Sequence, residues 1–206
     1  MDGVAPIGVV GTGYVGLVTA VCFAHLGHRV VCMDVDEAKI AGLRSGRLPI
    51  YEPGLDKLID DTTERLSFTT SYDELLEGCH ILFIAVDTPP SASGDADLSR
   101  VQRATREIAR RGGERLMVMK STVPVGTGER VTADFTGLGV SQIAYVSNPE
   151  FLREGAAIQD FLEPDRIVIG SFRPEDGDVV EALYRGIDAE VVRTSVASVT
   201  SSAVSA

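Results

Sequence analysis

An apolar run, Ile7 to Val10, passes directly into Gly11-Thr12-Gly13-Tyr14-Val15-Gly16, a G-x-G-x-x-G pattern that obliges a strand to turn at once into a helix. Glycine is required at each of its three places for a different reason. The first permits the tight turn, the second lets backbone N–H groups approach a pyrophosphate, and the third lets helix and strand pack closely. Glycines also mark ordinary turns, so the hexapeptide takes its meaning from the residues downstream of it. A second apolar run, Arg29 to Met33, ends in Asp34, 18 residues beyond Gly16, where the second strand of a βαβ unit should finish. A carboxylate there is the expected partner of an adenosine ribose. Its charge favours NAD and repels the 2′-phosphate of NADP, although Lys39 works against that discrimination. Without the glycines, Asp34 would read as a polar strand end or the N-cap of the next helix. Strand, glycine turn, helix, strand and acid together predict dinucleotide binding.

Apolar runs of strand length recur at Ile7 to Val10, Val30 to Met33, Ile81 to Val86, Leu116 to Met119, Ile143 to Val146 and Ile167 to Ile169. Between them, Tyr14 to Leu26 is small and apolar nearly all round, as expected of a helix against a sheet, and Gly27 ends it. Val101 to Arg111 and Thr127 to Phe135 read as more amphipathic helices. Each parallel crossover needs a dozen or more residues, so this alternation predicts an α/β fold: a doubly wound, Rossmann-like parallel sheet in a single domain over residues 1–193. Ligands of such sheets bind beyond the carboxyl ends of the strands. There the chain places the glycine turn, Asp34, Asp87-Thr88-Pro89-Pro90, Lys120-Ser121-Thr122-Val123-Pro124 and Ser147-Asn148-Pro149-Glu150. Polar loops at strand ends are ordinary one at a time; five with this hydroxyl, proline and carboxylate content point to one binding edge.

The last cluster has its own local logic. Asn148 is suited to cap a helix and Pro149 to open it, which leaves Glu150 in the first turn and Glu154 four residues on along the same face. Acidic residues in a first turn are stabilising by themselves, so this pattern alone assigns no chemistry. Thr122 is read either as a hydroxyl that positions a water or substrate oxygen, or as an ordinary strand terminus before Val-Pro.

A formal net charge of −11, from 19 basic and 30 acidic residues, argues against a nucleic-acid or anionic-membrane surface. No apolar segment approaches the roughly 20 residues of a membrane span, and the N-terminus lacks a signal peptide's basic start and apolar core; a cytoplasmic protein is expected. Cys22, Cys32 and Cys79 read as buried thiols rather than ligands or disulfides, and His25, His28 and His80 stand at no metal-ligand spacing, so no metal is expected.

These clusters, in this order, resemble the UDP-glucose/GDP-mannose dehydrogenase family. The resemblance is carried by GTGYVGL at 11–17, YEPGLD at 51–56, FIAVDTPP at 83–90, ADLS at 96–99, KSTVPVGT at 120–127, SNPEFLREG at 147–155 and DFLEPDRIVIG at 160–170, and it spans about residues 5 to 193. YEPGL looks more like the UDP-glucose branch. The resemblance implies an enzyme that oxidises the C6 alcohol of a nucleotide sugar to the acid with two NAD in succession, through an enzyme-bound thioester. For this chain it implies the NAD-binding domain. Gly11, Thr12, Gly13, Tyr14, Val15 and Gly16 would hold the pyrophosphate, Asp34 and Lys39 the ribose, and Val86, Thr88 and Pro89 the adenosine side. Ser121 and Thr122 would lie near the nicotinamide, and Glu154 would contact the cofactor. Thr122 and Glu150 would be catalytic, Glu150 as the base for thioester hydrolysis, and Glu150, Phe151, Leu152, Arg153 and Glu154 would line the substrate.

The family's nucleophilic cysteine stands in a G-F-G-G-x-C-F segment of a second domain, and these 206 residues contain no such segment. The thioester therefore cannot form on this chain alone. Residues 194–206 contain only Thr, Ser, Val and Ala, and read as a terminal tail or the start of a linker helix with no packed role. An apolar face near Phe151 and Phe161 is expected where the second domain would sit. A monomer or weak dimer is expected for this chain and a homodimer for the complete enzyme. Two alternatives stay open: a stand-alone NAD-binding regulatory or scaffold module, and a dehydrogenase of GDP-mannose or a UDP-N-acetyl sugar.

Overall fold

The computed structural model describes residues 5–91 and 94–198. Its centre is an eight-stranded sheet of β1 (Ile7–Val10), β2 (Val30–Met33), β3 (Leu66–Thr69), β4 (Ile81–Ile84), β5 (Arg115–Met119), β6 (Ile143–Ser147), β7 (Arg166–Ser171) and β8 (Glu190–Thr194), in the order β3-β2-β1-β4-β5-β6-β7-β8. All neighbours are parallel except β6 and β7, where Ser147 opposes Gly170 in an antiparallel pair. The sequence predicts a wholly parallel sheet; this one reversal, and strands β3 and β8, are added by the structure. Strand β4 ends at Ile84 rather than at Val86. The amides of Lys120 and Ser121 both bond to the Ile84 carbonyl, and the chain then leaves the ladder.

The central strands are buried on both faces and are apolar without alternation, as parallel strands covered by helices must be. Leu82, Phe83 and Ile84 of β4 have no exposure. Helix α1 (Tyr14–His25) buries every residue from Gly16 to Ala24. It stops at Gly27, whose φ of 97° lets the His28 amide reach back to the Phe23 carbonyl at 3.1 Å, the closing bond of a Schellman turn. On α5 (Ser99–Arg111), Val101, Ala104, Thr105, Ile108 and Ala109 are buried on one face, while arginines occupy the other.

The segment after β6 corrects the expected helix. Residues 148–156 form no regular helix, and α7 covers only Ala157–Leu162. Asn148 cannot cap because its side chain is held in the core: Nδ2 donates to the Val168 carbonyl (2.9 Å) and Oδ1 accepts from the Tyr184 hydroxyl (2.5 Å). Glu150 and Glu154 therefore share no helical face. Phe161 is 4% exposed, stacked edge-on against Phe23 at 5.1 Å, whereas Phe151 is 38% exposed; the expected apolar face near both is reduced to Phe151. At the other end of the sequence Thr194 closes β8 and Val196 is buried, so the packed chain reaches into the stretch expected to be tail. Residues 199–206 of that stretch lie outside the described residues.

Candidate cofactor and substrate cleft

Strands β2 and β3 lie to one side of β1 and β4 to the other, so the winding reverses between β1 and β4 and a crevice opens beyond their carboxyl ends. The glycine turn fills its floor. Gly11 has φ 99°, and a Cβ there would stand 2.6 Å from the Ala85 carbonyl oxygen. A Cβ on Gly16 would stand 2.0 Å from the Gly11 carbonyl oxygen, so helix and turn touch backbone to backbone. Helix α1 starts at Tyr14 with no side chain capping Gly13, which leaves its first N–H groups available at the crevice, an anion site by both hydrogen bonding and dipole.

Asp34 stands at the end of β2, buried, with its carboxylate already ordered. Oδ2 accepts from the Thr12 amide (2.8 Å), the Thr12 hydroxyl (2.9 Å) and Lys39 Nζ (2.9 Å), and Oδ1 from the Asp36 amide (3.1 Å). Burial alone would raise its pKa, but the Lys39 ammonium and these hydrogen bonds outweigh burial and hold it below the usual carboxylate range. Thr12 thus braces Asp34 from beneath.

Three cavities adjoin along the crevice. The first, about 420 Å³, is lined by Gly11, Gly13, Asp34, Lys39 and Val86 among others. The second, about 450 Å³, shares Ala85, Val86, Asp87 and Arg100 with the first and adds Val15, Thr88, Pro89, Ser121, Thr122 and Glu150. The third, about 500 Å³, shares Lys120 and Glu150 with the second and continues over Phe151, Leu152 and Arg153. The residues expected at the ribose, at the nicotinamide and at the substrate thus succeed one another in that order. Ser121 Oγ is occupied by the Val86 carbonyl (2.7 Å), and Thr88 Oγ1 donates to the Thr122 carbonyl (2.9 Å), so the exposed Thr122 hydroxyl stands on a braced loop. Glu150 is half-buried, with Oε2 accepting from the Leu152 amide at 2.5 Å. Arg153 is clamped by Asp160 (2.6 and 3.1 Å). Glu154 is exposed and lines none of these three cavities.

Two site residues that lie within the family motifs receive no role from the sequence. Glu52, 5% exposed, accepts from the Tyr14 hydroxyl and from the Gly155 amide (2.9 Å), tying the glycine turn to the loop that carries Glu150. Lys120, 4% exposed, hydrogen-bonds Asn148 Oδ1 (3.3 Å) and the Tyr184 hydroxyl (3.2 Å) and has no carboxylate partner among the described residues. Burial pushes its pKa down to about 8, partly opposed by the Glu150 charge. The available signal for Lys120 is a lone cation closing the apolar run LMVM; Glu52, in a loop 36 residues after Gly16, has no local one.

A reversed-winding sheet, glycine turn, buried strand-end acid and adjoining second cavity define a dinucleotide-binding domain of dehydrogenase type. Residues 5–188 match the model of the UDP-glucose/GDP-mannose dehydrogenase family, NAD binding domain. The chain belongs to that family, and NAD is the cofactor its cleft is built for. It is 44% identical over 197 residues to the UDP-glucose 6-dehydrogenase TuaD of Bacillus subtilis, covering 93% of this chain and 43% of that protein. It is 52% identical over 169 residues to a UDP-glucose 6-dehydrogenase of Rhizobium meliloti, covering 80% and 39%. The chain thus spans about two-fifths of the length of these relatives. Among solved structures it superposes on a UDP-glucose dehydrogenase from Pyrobaculum islandicum with TM-score 0.91 at 42% identity, over 99% of this chain and 49% of that one. A GDP-mannose dehydrogenase from Pseudomonas aeruginosa gives TM-score 0.90 at 34% identity, over 97% and 48%. No helix among the described residues is long and apolar enough to cross a membrane.

Proposed function

We propose that this chain is the cofactor half of a UDP-glucose 6-dehydrogenase, oxidising UDP-glucose to UDP-glucuronate in two NAD-dependent steps. The observation that carries this reading is the continuity of the three cavities, with Asp34 at one end and Glu150 on the wall between the second and third. NAD, when bound, supplies the hydride acceptor. The chain's own residues orient and protect: the first N–H groups of α1 receive the pyrophosphate, Asp34 fixes the ribose, and the loop braced by Thr88 presents the Thr122 hydroxyl near the reacting carbon. Glu150 takes a proton from the water that hydrolyses the thioester.

The sulfur of that thioester comes from outside these residues. Cys22, Cys32 and Cys79 are all buried, and burial raises their thiols to about 12, about 12 and about 11, far from the thiolate a nucleophile requires. The 206 residues alone therefore bind NAD without completing the oxidation, as a monomer or weak dimer. The reading places the reaction in the cytoplasm, where three free thiols stay reduced.

Calorimetric titration with NAD and NADP tests the cofactor half. One-site binding that prefers NAD and is lost in Asp34→Ala is the expected result; no binding to a folded chain contradicts it. Supplying the cysteine-bearing half of a relative in trans and following NADH from UDP-glucose, GDP-mannose and a UDP-N-acetyl sugar tests the substrate.

A further inference from the structure

The pyrophosphate of a dinucleotide carries two negative charges into a chain whose own net charge is −11. Something in the cleft must answer them. Arg100 lies in the first turn of α5, where the helix dipole favours acidic residues and where none is present, so helix stability does not account for it. Its guanidinium reaches back across the crevice to Asp87 Oδ2 at 2.7 Å. Both residues line the first and the second cavity, so their pair straps the passage between the ribose end and the nicotinamide end. Asp87 Oδ1 in turn lies 3.0 Å from where a Cβ on Gly13 would stand. A carboxylate is therefore parked over the one residue of the turn whose bareness lets phosphate approach backbone.

A carboxylate and a pyrophosphate repel each other at that surface, and a cation between them relieves the repulsion. The Asp87–Arg100 pair is solvent-exposed, hence weak and easily exchanged. A guanidinium binds phosphate oxygens in the same forked geometry as carboxylate.

We propose that Arg100 is a cofactor-binding residue that leaves Asp87 for the pyrophosphate when the dinucleotide enters, and that Asp87 is the competitor that holds it until then. The proposal rests on the NAD-binding reading above and adds to the α1 N–H groups a side-chain cation, distinct from Lys39 and Arg103 of the same cavity in being held by Asp87 beside Gly13. The same exchange makes Asp87 a brake on affinity: removing its charge frees Arg100 and takes an anion from beside Gly13.

The test is titration of the wild-type chain, Arg100→Gln and Asp87→Asn with NAD at low and moderate salt, and with adenosine, which has the ribose but no phosphate. Thermal melts of the two variants, both changed at exposed positions, establish that they are folded. The expected result is that Arg100→Gln weakens NAD about tenfold and flattens its salt dependence, that Asp87→Asn tightens NAD about threefold, and that adenosine affinity is alike in all three. An Arg100→Gln affinity for NAD within twofold of wild type overturns the proposal. So does an equal loss for adenosine and NAD, which would place Arg100 at the nucleoside, and so does weaker NAD binding by Asp87→Asn. A wild-type chain that binds adenosine and not NAD, or neither, overturns the cofactor reading itself and the strap with it.

Discussion

Glu52 and Gly155 are 103 residues apart in the chain and are joined by a 2.9 Å hydrogen bond from the Gly155 amide to the Glu52 carboxylate. The same oxygen accepts from the Tyr14 hydroxyl, which also receives the Gly155 amide at 3.0 Å. Burial and the Glu52 hydrogen bond together raise the Tyr14 phenol to about 12, so it remains a donor throughout the neutral range. A single buried carboxylate therefore fixes the distance between the glycine turn and the loop that carries Glu150.

Replacing Glu52 by Ala removes the buried acceptor shared by the Gly155 amide and the Tyr14 hydroxyl, leaving the amide only the Tyr14 oxygen at 3.0 Å and the hydroxyl only the Arg153 carbonyl at 3.4 Å. Urea denaturation should show a loss of about 2–3 kcal/mol, and amide exchange should quicken from Glu150 to Gly155. Glu52→Gln keeps one acceptor oxygen and should cost less than half as much. An Ala variant as stable as wild type would show that the bridge holds nothing.

The glycines of the turn should separate by role. Gly16→Ala places a methyl 2.0 Å from a backbone carbonyl that has no room to move, and should destabilise the fold by about 3 kcal/mol or more. Gly13 has φ −72°, open to any residue, and its added Cβ would meet only the movable Asp87 side chain at 3.0 Å. Gly13→Ala should melt within a few degrees of wild type and still bind NAD poorly. Thermal melts paired with calorimetry check both halves.

Asp34 links stability to acid. Its pKa is lowered on folding, so its contribution is fully present above the ordinary aspartate value of about 4 and is lost as pH falls through the lower folded value. Asp34→Asn should destabilise the chain at pH 7, and the difference from wild type should shrink below pH ~4. Urea titrations at a series of acidic pH values measure it; a constant difference would contradict the linkage.

Lys120 and the cysteines act in opposite senses at alkaline pH. The lysine's folded pKa, about 8, lies below the ordinary value of 10.5, so burying it costs stability in full below pH 8, and the cost is relieved as pH rises towards 10.5. The three thiols are raised on folding, so their contribution is present below the ordinary thiol value and is lost above it. The informative quantity is the difference between wild type and Lys120→Met. It should move in favour of wild type by about 3 kcal/mol between pH 8 and 10.5, while wild type itself loses stability over that range because its three raised thiols together outweigh the one lysine. A difference that stays flat with pH would mean that the Lys120 ammonium remains charged where it is.

Sequence reading reaches furthest where burial is two-sided. Strand β4 is legible because Leu82, Phe83 and Ile84 must all be apolar, and the glycine turn because three backbone contacts forbid side chains. Strands β3 and β8 escape it. At the sheet margins Leu66–Thr69 and Glu190–Thr194 are only partly covered, so polar residues are tolerated and no apolar run forms. Asn148 misleads for a related reason: its sequence neighbours suit a helix start, but its amide is claimed by Val168 and Tyr184, partners 20 and 36 residues distant. Glu52 is invisible in the same way, since its meaning lies in Tyr14 and Gly155.

The one antiparallel join in the sheet has an architectural consequence. A parallel crossover would carry the chain after Ser147 back to the amino edge before the next strand could begin. Because β7 runs the other way, residues 148–165 leave and re-enter the sheet at the same rim. The excursion thus stays on the cleft side of the sheet, rooted in the core through Asn148 and Phe161. Its exposed positions, Phe151 and Glu154 among them, can change, and through Phe151 reshape the third cavity's rim, without shifting the register of a strand, while Asn148, Gly155 and Phe161 stay fixed by the core and by Glu52.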